Sequence, residues 1–376
     1  MRRLAYIYDA PDWPRFHWDQ AGLADKIAEV RHQQGRLVGK MENLGFDLRQ
    51  EAMLNTLTAD VLKSSEIEGE KLNVEQVRSS VARRLGMDIG GLKAADRDVE
   101  GVVEMMLDAT RRFAEELTEE RLWGWHASLF PTGRSGMMAI NAGAWRDGRR
   151  GPMQVVSGPI GREKVHFQAP SADRVHGEMS LFLRWFNAET RRDWVVNAGI
   201  AHLWFVTIHP FDDGNGRIAR AIADMALARS ERSPQRFYSM SSQIREERKS
   251  YYDILARTSS GTMDVTAWLE WFLDCLARAI ARSEETLEAV LFKGKFWESV
   301  ASIALNQRQR AMLNRLLDGF EGKLTSSKWA KLTKVSHDTA LRDITFLVAH
   351  RIFVQNPGGG RSTSYSLAVT SPGKQL

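Results

Sequence analysis

"HPFDDGNGRIAR", residues 209–220, follows directly on the apolar run "IAHLWFVTI", residues 200–208. The run is helical in length once "WVVNAG" before it is included, and "IARAIADMALAR", 218–229, resumes a helical spacing. The charged stretch is therefore a loop that feeds a helix N-terminus. Free backbone N–H groups there form an anion site, and Gly214 and Gly216 let the chain approach a phosphate closely. Asn215 between them offers a side-chain N–H to a phosphate oxygen. Arg217 and Arg220 share one face of the new helix and suit further phosphates. Asp213 suits Mg²⁺, a hard cation often held by one carboxylate plus substrate phosphates. His209, with an ordinary pKa of about 6.5, is the candidate general base. Three simpler readings compete: a turn, a hydrolytic metal site, and a solvated arginine face. Each covers part of the dozen residues and none covers all of it, and no second histidine lies at an obvious ligand spacing.

The rest of the chain sets the context. Its 376 residues allow two or three domains, and 43% hydrophobic content supports a globular core. No stretch approaches the roughly 18 apolar residues of a membrane span, so no membrane partner is expected. "MRRLAYIYDAPDW" lacks an apolar segment and cleavage site, so no signal peptide is read. The one cysteine, Cys275, excludes an internal disulfide, fits a reducing cytoplasm, and reads as a small core residue.

Net charge is +5, yet the segment from Lys293 onward holds 13 Lys/Arg against 5 Asp/Glu, a balance of +8. The basic excess thus belongs to the C-terminal part, which points to a polyanion as its partner.

Along the chain, an aromatic, proline-containing opening ("YIYDAPDWPRFHWD") reads as an extended segment laid over a surface. Helical spacing then runs over about 20–44, 49–66 and 73–85, and resumes at "DVEGVVEMMLDATRRFAEEL" after a Gly90-Gly91 loop. Thr118 and Ser336 read as N-caps of later helices. Between Gly133 and Pro170 the chain turns glycine-rich, and two alternating runs, "MQVV" and "KVHFQ", read as a β-hairpin at about 153–168. "TAWLEWFLDCLARAIARSEETLEAVLF" reads as one long helix. From about Gln307 the order is helix, helix, helix, then two strands about a Pro-Gly-Gly-Gly turn. That order reads as a winged helix-turn-helix, whose second motif helix would enter the major groove of duplex DNA.

"HPFDDGNGRIAR" resembles the Fic family motif, His-x-Phe-x-Asp/Glu-Gly-Asn-Gly-Arg-x-x-Arg, at all eight specified positions. The resemblance extends over about 117–278. It implies a mainly α fold, with a Fic-type helical core and a hairpin flap, to which the C-terminal winged helix is added. It also implies transfer of AMP from ATP to a hydroxyl of a target protein. His209 would deprotonate that hydroxyl and Asp213 would hold Mg²⁺. Gly214, Asn215 and Gly216 would cradle phosphate, Arg217 and Arg220 would bind the β- and γ-phosphates, and Phe211 would be buried beneath the loop. The hairpin would be the flap that aligns the target segment by backbone pairing. In "REERKSYYDIL", Tyr251 or Tyr252 would enclose the adenine.

A second stretch, "SSEIEGE", 64–70, is similar to the family's inhibitory helix, Ser/Thr-x-x-x-Glu-Gly/Asn, with Ser64, Glu68 and Gly69 at the specified positions. On that resemblance Glu68 would pair bidentately with Arg220, take the place of the γ-phosphate, and position water for removal of AMP. The opening twenty residues resemble an N-terminal extension found on some family members.

The expected organisation is an N-terminal helical region with the inhibitory helix over 1–92, a catalytic domain over 117–278 and a winged helix over 295–376. The expected function is a self-inhibited cytoplasmic protein adenylyltransferase. The alternatives are a nucleotide-sensing DNA-binding regulator, or transfer of UMP or phosphate; a homodimer stays open.

Overall fold

The computed structural model describes residues 6–42, 45–87, 93–149, 151–157, 162, 164–188, 192–317, 320, 322–357 and 363–368. The expected Gly90-Gly91 loop, the tip of the 153–168 hairpin and most of the Pro-Gly-Gly-Gly turn lie outside them. The chain divides into two units, Met1–Glu284 and Glu285–Leu376.

The first unit opens with a 3₁₀ turn, Ile7–Asp9. Three helices follow: α1 (Gln20–Glu42), α2 (Phe46–Ile67) and α3 (Val74–Leu85). Asn73 caps α3 by accepting from the N–H groups of Glu75 and Gln76. Next come α4 (Arg97–Arg111) and α5 (Glu119–Leu129), the latter capped by Thr118 as its spacing predicts. The α4 pattern, read through to Leu117, stops at Arg111. Arg121 supplies the reason: its guanidinium donates to the carbonyls of Asp108, Arg112, Glu115 and Glu116, and to the Asp108 carboxylate. Those bonds satisfy carbonyls that further helix would have used.

The glycine-rich stretch holds a ribbon of two-residue strands, β1 (Arg134–Ser135) and β2 (Met138–Ala139). The hairpin consists of β3 (Gln154–Ser157) and β4 (Lys164–Gln168), antiparallel with a register shift between Val155 and Val156. After α6 (Ala172–Asn187) comes α7 (Trp194–Ile208), the apolar helix ahead of the loop. α7 is buried on all sides, which explains its lack of an amphipathic stripe. It packs along α8 (Asn215–Glu231). α9 (Met240–Glu246), α10 (Arg248–Ser259) and α11 (Thr266–Ser299) follow. At Gly199 a Cβ would come within 2.9 Å of Leu269, so the absence of a side chain sets how closely α11 approaches α7. Trp268 Nε1 donates to the Gly199 carbonyl there, and Cys275 is a buried free thiol.

The second unit contains α12 (Gln307–Leu317), β5 (Leu324–Thr325), α13 (Ser326–Thr333), α14 (His337–Ala349), β6 (Phe353–Gln355) and β7 (Ser364–Leu367). The strands form an antiparallel sheet in the order β5-β7-β6. Strand β5 is an addition to the order read from sequence; two residues carry no legible alternation. Trp329, Leu313, Ile344 and Leu347 form a dry centre of their own, with Trp329 edge-on to Phe353. Among the described residues, no helix is long and apolar enough to cross a membrane.

Candidate active site

The loop between α7 and α8 is held from beneath. Phe211 is fully buried and stacks on His126, with ring centroids 4.1 Å apart. Asn215 Oδ1 accepts from the Phe211 N–H at 3.0 Å, and its Nδ2 donates to the Phe211 carbonyl at 2.9 Å. Asn215 thus shapes the loop: both of its polar atoms are bonded to Phe211 in a side chain 2% exposed, and the second N–H of Nδ2 is the one not used there. Arg146, a residue that the sequence did not single out, clamps the end of α7. Its Nε donates to the His209 carbonyl at 2.8 Å, its Nη2 to Ile208 and Pro170, and its N–H to Pro210. Its only trace in the sequence is an arginine in a glycine-rich loop.

His209 ends α7 in the left-handed region, φ 53° and ψ 57°. Its Nδ1 lies 3.1 Å from the Val206 carbonyl. A carbonyl only accepts, so this bond requires the proton on Nδ1 and leaves Nε2 with its lone pair. Burial pushes the imidazole pKa below its ordinary value, against smaller opposing contributions from the Val206 carbonyl, Glu68 and Asp213. The half-buried ring is therefore neutral and basic near pH 7.

Asp213 lies one position before the cap of α8. Its Oδ1 accepts from the Gly214 N–H at 2.6 Å and its Oδ2 from the Ser135 hydroxyl of β1. Each oxygen keeps a lone pair, which fits a hard cation. Among the described residues no group of three or more His, Cys, Asp or Glu forms a cage. A cation at Asp213 would thus complete its shell with substrate oxygens and water.

Gly214, the N-cap of α8, takes φ 78°, and no side chain caps the helix. The positive φ selects glycine there, and the first-turn N–H groups of α8 are left without a side-chain acceptor at the cap. Arg217 and Arg220 rise from this turn with side chains only 3% and 1% exposed. The Arg217 Nε and the Arg220 Nη1 have no partner. Buried donors without acceptors are costly, and two guanidinium N–H groups beside a helix N-terminus suit an anionic ligand.

The other partners of both guanidiniums come from the end of α2. Glu68 Oε1 is 2.8 Å from Arg220 Nη2, and Ser64 accepts from Arg220 through its hydroxyl and its carbonyl, each at 2.9 Å. The bidentate pair expected between Glu68 and Arg220 is thus a shared one, with Ser64 taking the rest of the fork. Glu70 Oε2 sits 2.6 Å from Arg217 Nη1. Sequence reasoning passed over Glu70, although it closes the same seven-residue stretch. Burial raises the Glu70 pKa, and Arg217 counters that only in part. Arg220 is held above its ordinary value because Glu68 and the neighbouring tyrosines outweigh the burial that opposes its charge. Gly69 makes the arrangement possible: at φ 89° it turns the chain so that carboxylates on either side of it reach α8.

The two tyrosines divide. Tyr251 is 2% exposed and its hydroxyl lies 2.8 Å from His202 Nε2, so it belongs to the core and its ring does not offer an open face to a base. Tyr252 is half-buried, with the Arg248 guanidinium over its ring. Arg248 in turn donates to the Ile67 carbonyl at the end of α2.

Comparison with known proteins agrees with this geometry. The Fic/DOC family model matches residues 116–227, which span α5 to α8 and contain the whole loop. The chain carries a Fic domain. A second model, a domain of unknown function (DUF4172), matches residues 6–87 and so takes in the opening segment and α1 to α3. The Fic domain is similar to the protein adenylyltransferase Fic of Culex quinquefasciatus, 34% identical over 27% of this chain and 19% of that one. The protein of the same name from Drosophila melanogaster is 31% identical over 30% of this chain and 20% of that one. The chain thus spans about a fifth of the length of these curated relatives. The fold resembles the crystal structure of a Fic domain containing signaling protein from Bacteroides thetaiotaomicron, with a TM-score of 0.51 and 19% identity, covering 70% of this chain and 97% of that one.

Proposed function

We propose that this chain is a protein adenylyltransferase that transfers AMP from ATP to a Ser, Thr or Tyr hydroxyl of a target protein, and that the end of α2 restrains it. The observation that carries the reading is the pair of unsatisfied, buried guanidinium atoms beside an uncapped helix N-terminus, adjacent to a histidine whose Nε2 is free to take a proton. In this reading the α8 N–H groups, Arg217 and Arg220 bind the polyphosphate. His209 Nε2 accepts the proton of the target hydroxyl as its oxygen attacks the α-phosphorus. The new O–P bond forms while the bond to the bridging oxygen breaks, and pyrophosphate departs on the far side. Mg²⁺ at Asp213 would neutralise phosphate charge. Tyr252 is the candidate to flank the base, and β3–β4 the surface that aligns the target.

Glu68 and Glu70 sit on the guanidiniums that the β- and γ-phosphates require. ATP then binds in a pose that does not present its α-phosphorus. A cavity of about 460 Å³ beside the flap is lined by Met138, Arg146, Asp147, Gln154, Val165 and Asp212 among others, and Asp212 is the residue through which it reaches the loop. Removal of AMP from a modified target is part of the proposal, with Glu68 orienting the water. The test is incubation of the Glu68→Gly chain with Mg²⁺ and either ATP or UTP, followed by intact mass. An added AMP on the chain or a candidate target supports the reading, whereas an added UMP or phosphate in its place, or no addition by this released chain, overturns it.

For the second unit we propose duplex DNA as partner, on the strength of its basic surplus and of Asp338, Leu341, Arg342 and Thr345 on the open side of α14. Binding to phosphates weakens steeply with salt. Absence of affinity at low salt in the full-length chain overturns this assignment.

A further inference from the structure

The opening segment has a definite place in the structure. Tyr6 and Tyr8 stack with ring centroids 5.5 Å apart, and both meet the edge of Phe167 on β4, at 5.3 and 6.1 Å. Phe167 also faces His209, 6.5 Å between ring centroids. The Tyr8 hydroxyl donates to the Gln168 carbonyl at 2.7 Å. Ala169 N–H donates to the Met153 carbonyl, so the neighbouring Gln154/Gln168 pair turns its backbone N–H and C=O groups away from the partner strand. Tyr8 thus occupies an outward position on β4 that a pairing chain would otherwise use.

The segment is anchored beyond the flap. Arg174 of α6 donates to the Tyr8 carbonyl at 3.0 Å and lies 5.4 Å over the Tyr8 ring. Arg174 and Trp13 both donate to Glu178, at 2.7 and 2.8 Å. Further on, His17 exchanges backbone hydrogen bonds with Met263 and Val265. Burial keeps the Tyr8 phenol protonated, its pKa pushed up to about 12, so the hydroxyl remains a donor throughout the working range.

We infer that Tyr6–Phe16 is a strap that fixes the flap over His209, with Tyr8 as a positioning residue for the acceptor. The inference rests on reading β3–β4 as the acceptor-aligning surface. A hairpin of four and five residues is too short to hold its own position. The strap supplies the third layer, and by closing the β4 edge at Gln168 it leaves β3 as the edge on which an acceptor pairs.

Two measurements on the full-length chain test this. In the first, amide exchange across Gln154–Ser157 and Lys164–Gln168 is compared between wild type and Tyr8→Phe, which keeps the ring and removes one hydrogen bond. Exchange there should rise about fivefold to tenfold, with the α7 and α8 amides and ADP affinity unchanged. Unaltered exchange in the flap, or faster exchange throughout the domain, overturns the inference. In the second, Tyr8→Phe is placed in a Glu68→Gly chain, and AMP transfer is measured onto a His209→Ala copy of the same chain. KM for that acceptor should rise several-fold while KM for ATP stays the same; an equal change in both overturns a positioning role. If the Glu68→Gly chain labels nothing, the transferase reading falls, and amide exchange still decides whether Tyr8 holds the flap.

Discussion

Two helix ends meet at this site, and they are built to opposite specifications. The N-terminus of α8 is buried and fixed: its arginines are at most 3% exposed, and Asn215, Phe211 and Arg146 bind the loop from beneath. The C-terminus of α2 is half open, with the Glu68 and Glu70 side chains 30% and 44% exposed. Carboxylates at a helix C-terminus are unfavourable for their own helix, because the helix dipole is negative there. Their position is favourable only toward α8, whose positive end and two guanidiniums they face. The difference teaches which side of the contact is removable. The α8 end is part of the core, and so are Ser64, Ser65 and Ile67 of α2; the cover is the pair of partly open carboxylates, Glu68 and Glu70, that follow them.

The largest effect should come from the fixed side. His209→Ala removes the one positioned base and should lower AMP transfer by about 10²–10⁴-fold while ADP affinity is retained, because the phosphate contacts lie on other residues. Transfer at the wild-type rate would show that the fixed end lacks the role given to it. The pH profile offers a check without mutation. Burial lowers the His209 pKa, so the neutral form should persist below the ordinary value near 6.5. Activity should be level around pH 7 and fall on acidification only below about pH 6.5. An acid limb centred above that value would contradict the environment described.

The next effect belongs to the cover. Glu68→Gly should raise transfer by about one to two orders of magnitude, since a close charge pair contributes a few kcal/mol and each ~1.4 kcal/mol is roughly tenfold. The upper part of that range is reserved for well-buried pairs, and Glu68 is partly solvated. Arg220→Ala should abolish the gain instead of adding to it. Ser64 remains to orient Arg220 when Glu68 is gone, so the freed guanidinium stays aimed at the phosphate. If the Glu68→Gly chain is no faster at saturating ATP, the cover is a helix end without regulatory weight.

How much of this was legible in the sequence follows the same division. The fixed loop holds its charged residues within a dozen positions, so the clustering of His209, Asp213, Arg217 and Arg220 was readable, as were α7 and the caps Thr118 and Ser336. What was not legible is the direction in which a side chain turns and the partner it meets. Asn215 turns inward because Phe211 four residues before it needs both of its amide atoms, and residue type does not reveal direction. Tyr251 and Tyr252 are adjacent and chemically alike, and only the approach of His202 places one of them in the core. Arg146 and Glu70 were missed because each acts on a partner more than sixty residues away.

The smallest expected effect concerns Glu70, and it sharpens the comparison most. If the α2 end acts as a unit, releasing Arg220 alone leaves Arg217 still occupied. Glu70→Gln keeps the shape and removes the charge. Its side chain is 44% exposed, so solvent screens the pair and the gain should be only about twofold to fivefold. Burial raises the Glu70 pKa above the ordinary carboxylate value, so protonation releases its hold on Arg217 at a higher pH than it would for a solvated glutamate. Wild type should therefore approach the rate of Glu70→Gln as pH falls toward that raised pKa, and the two should separate as pH rises and Glu70 ionises. The comparison of the two chains at each pH cancels the His209 titration, which both share. In the double variant with Glu68→Gly the gains should multiply if the two arginines bind different phosphates, because each carboxylate then blocks a separate contact. A double variant no faster than Glu68→Gly alone would place the whole restraint on Arg220 and leave Glu70 as a structural partner of Arg217.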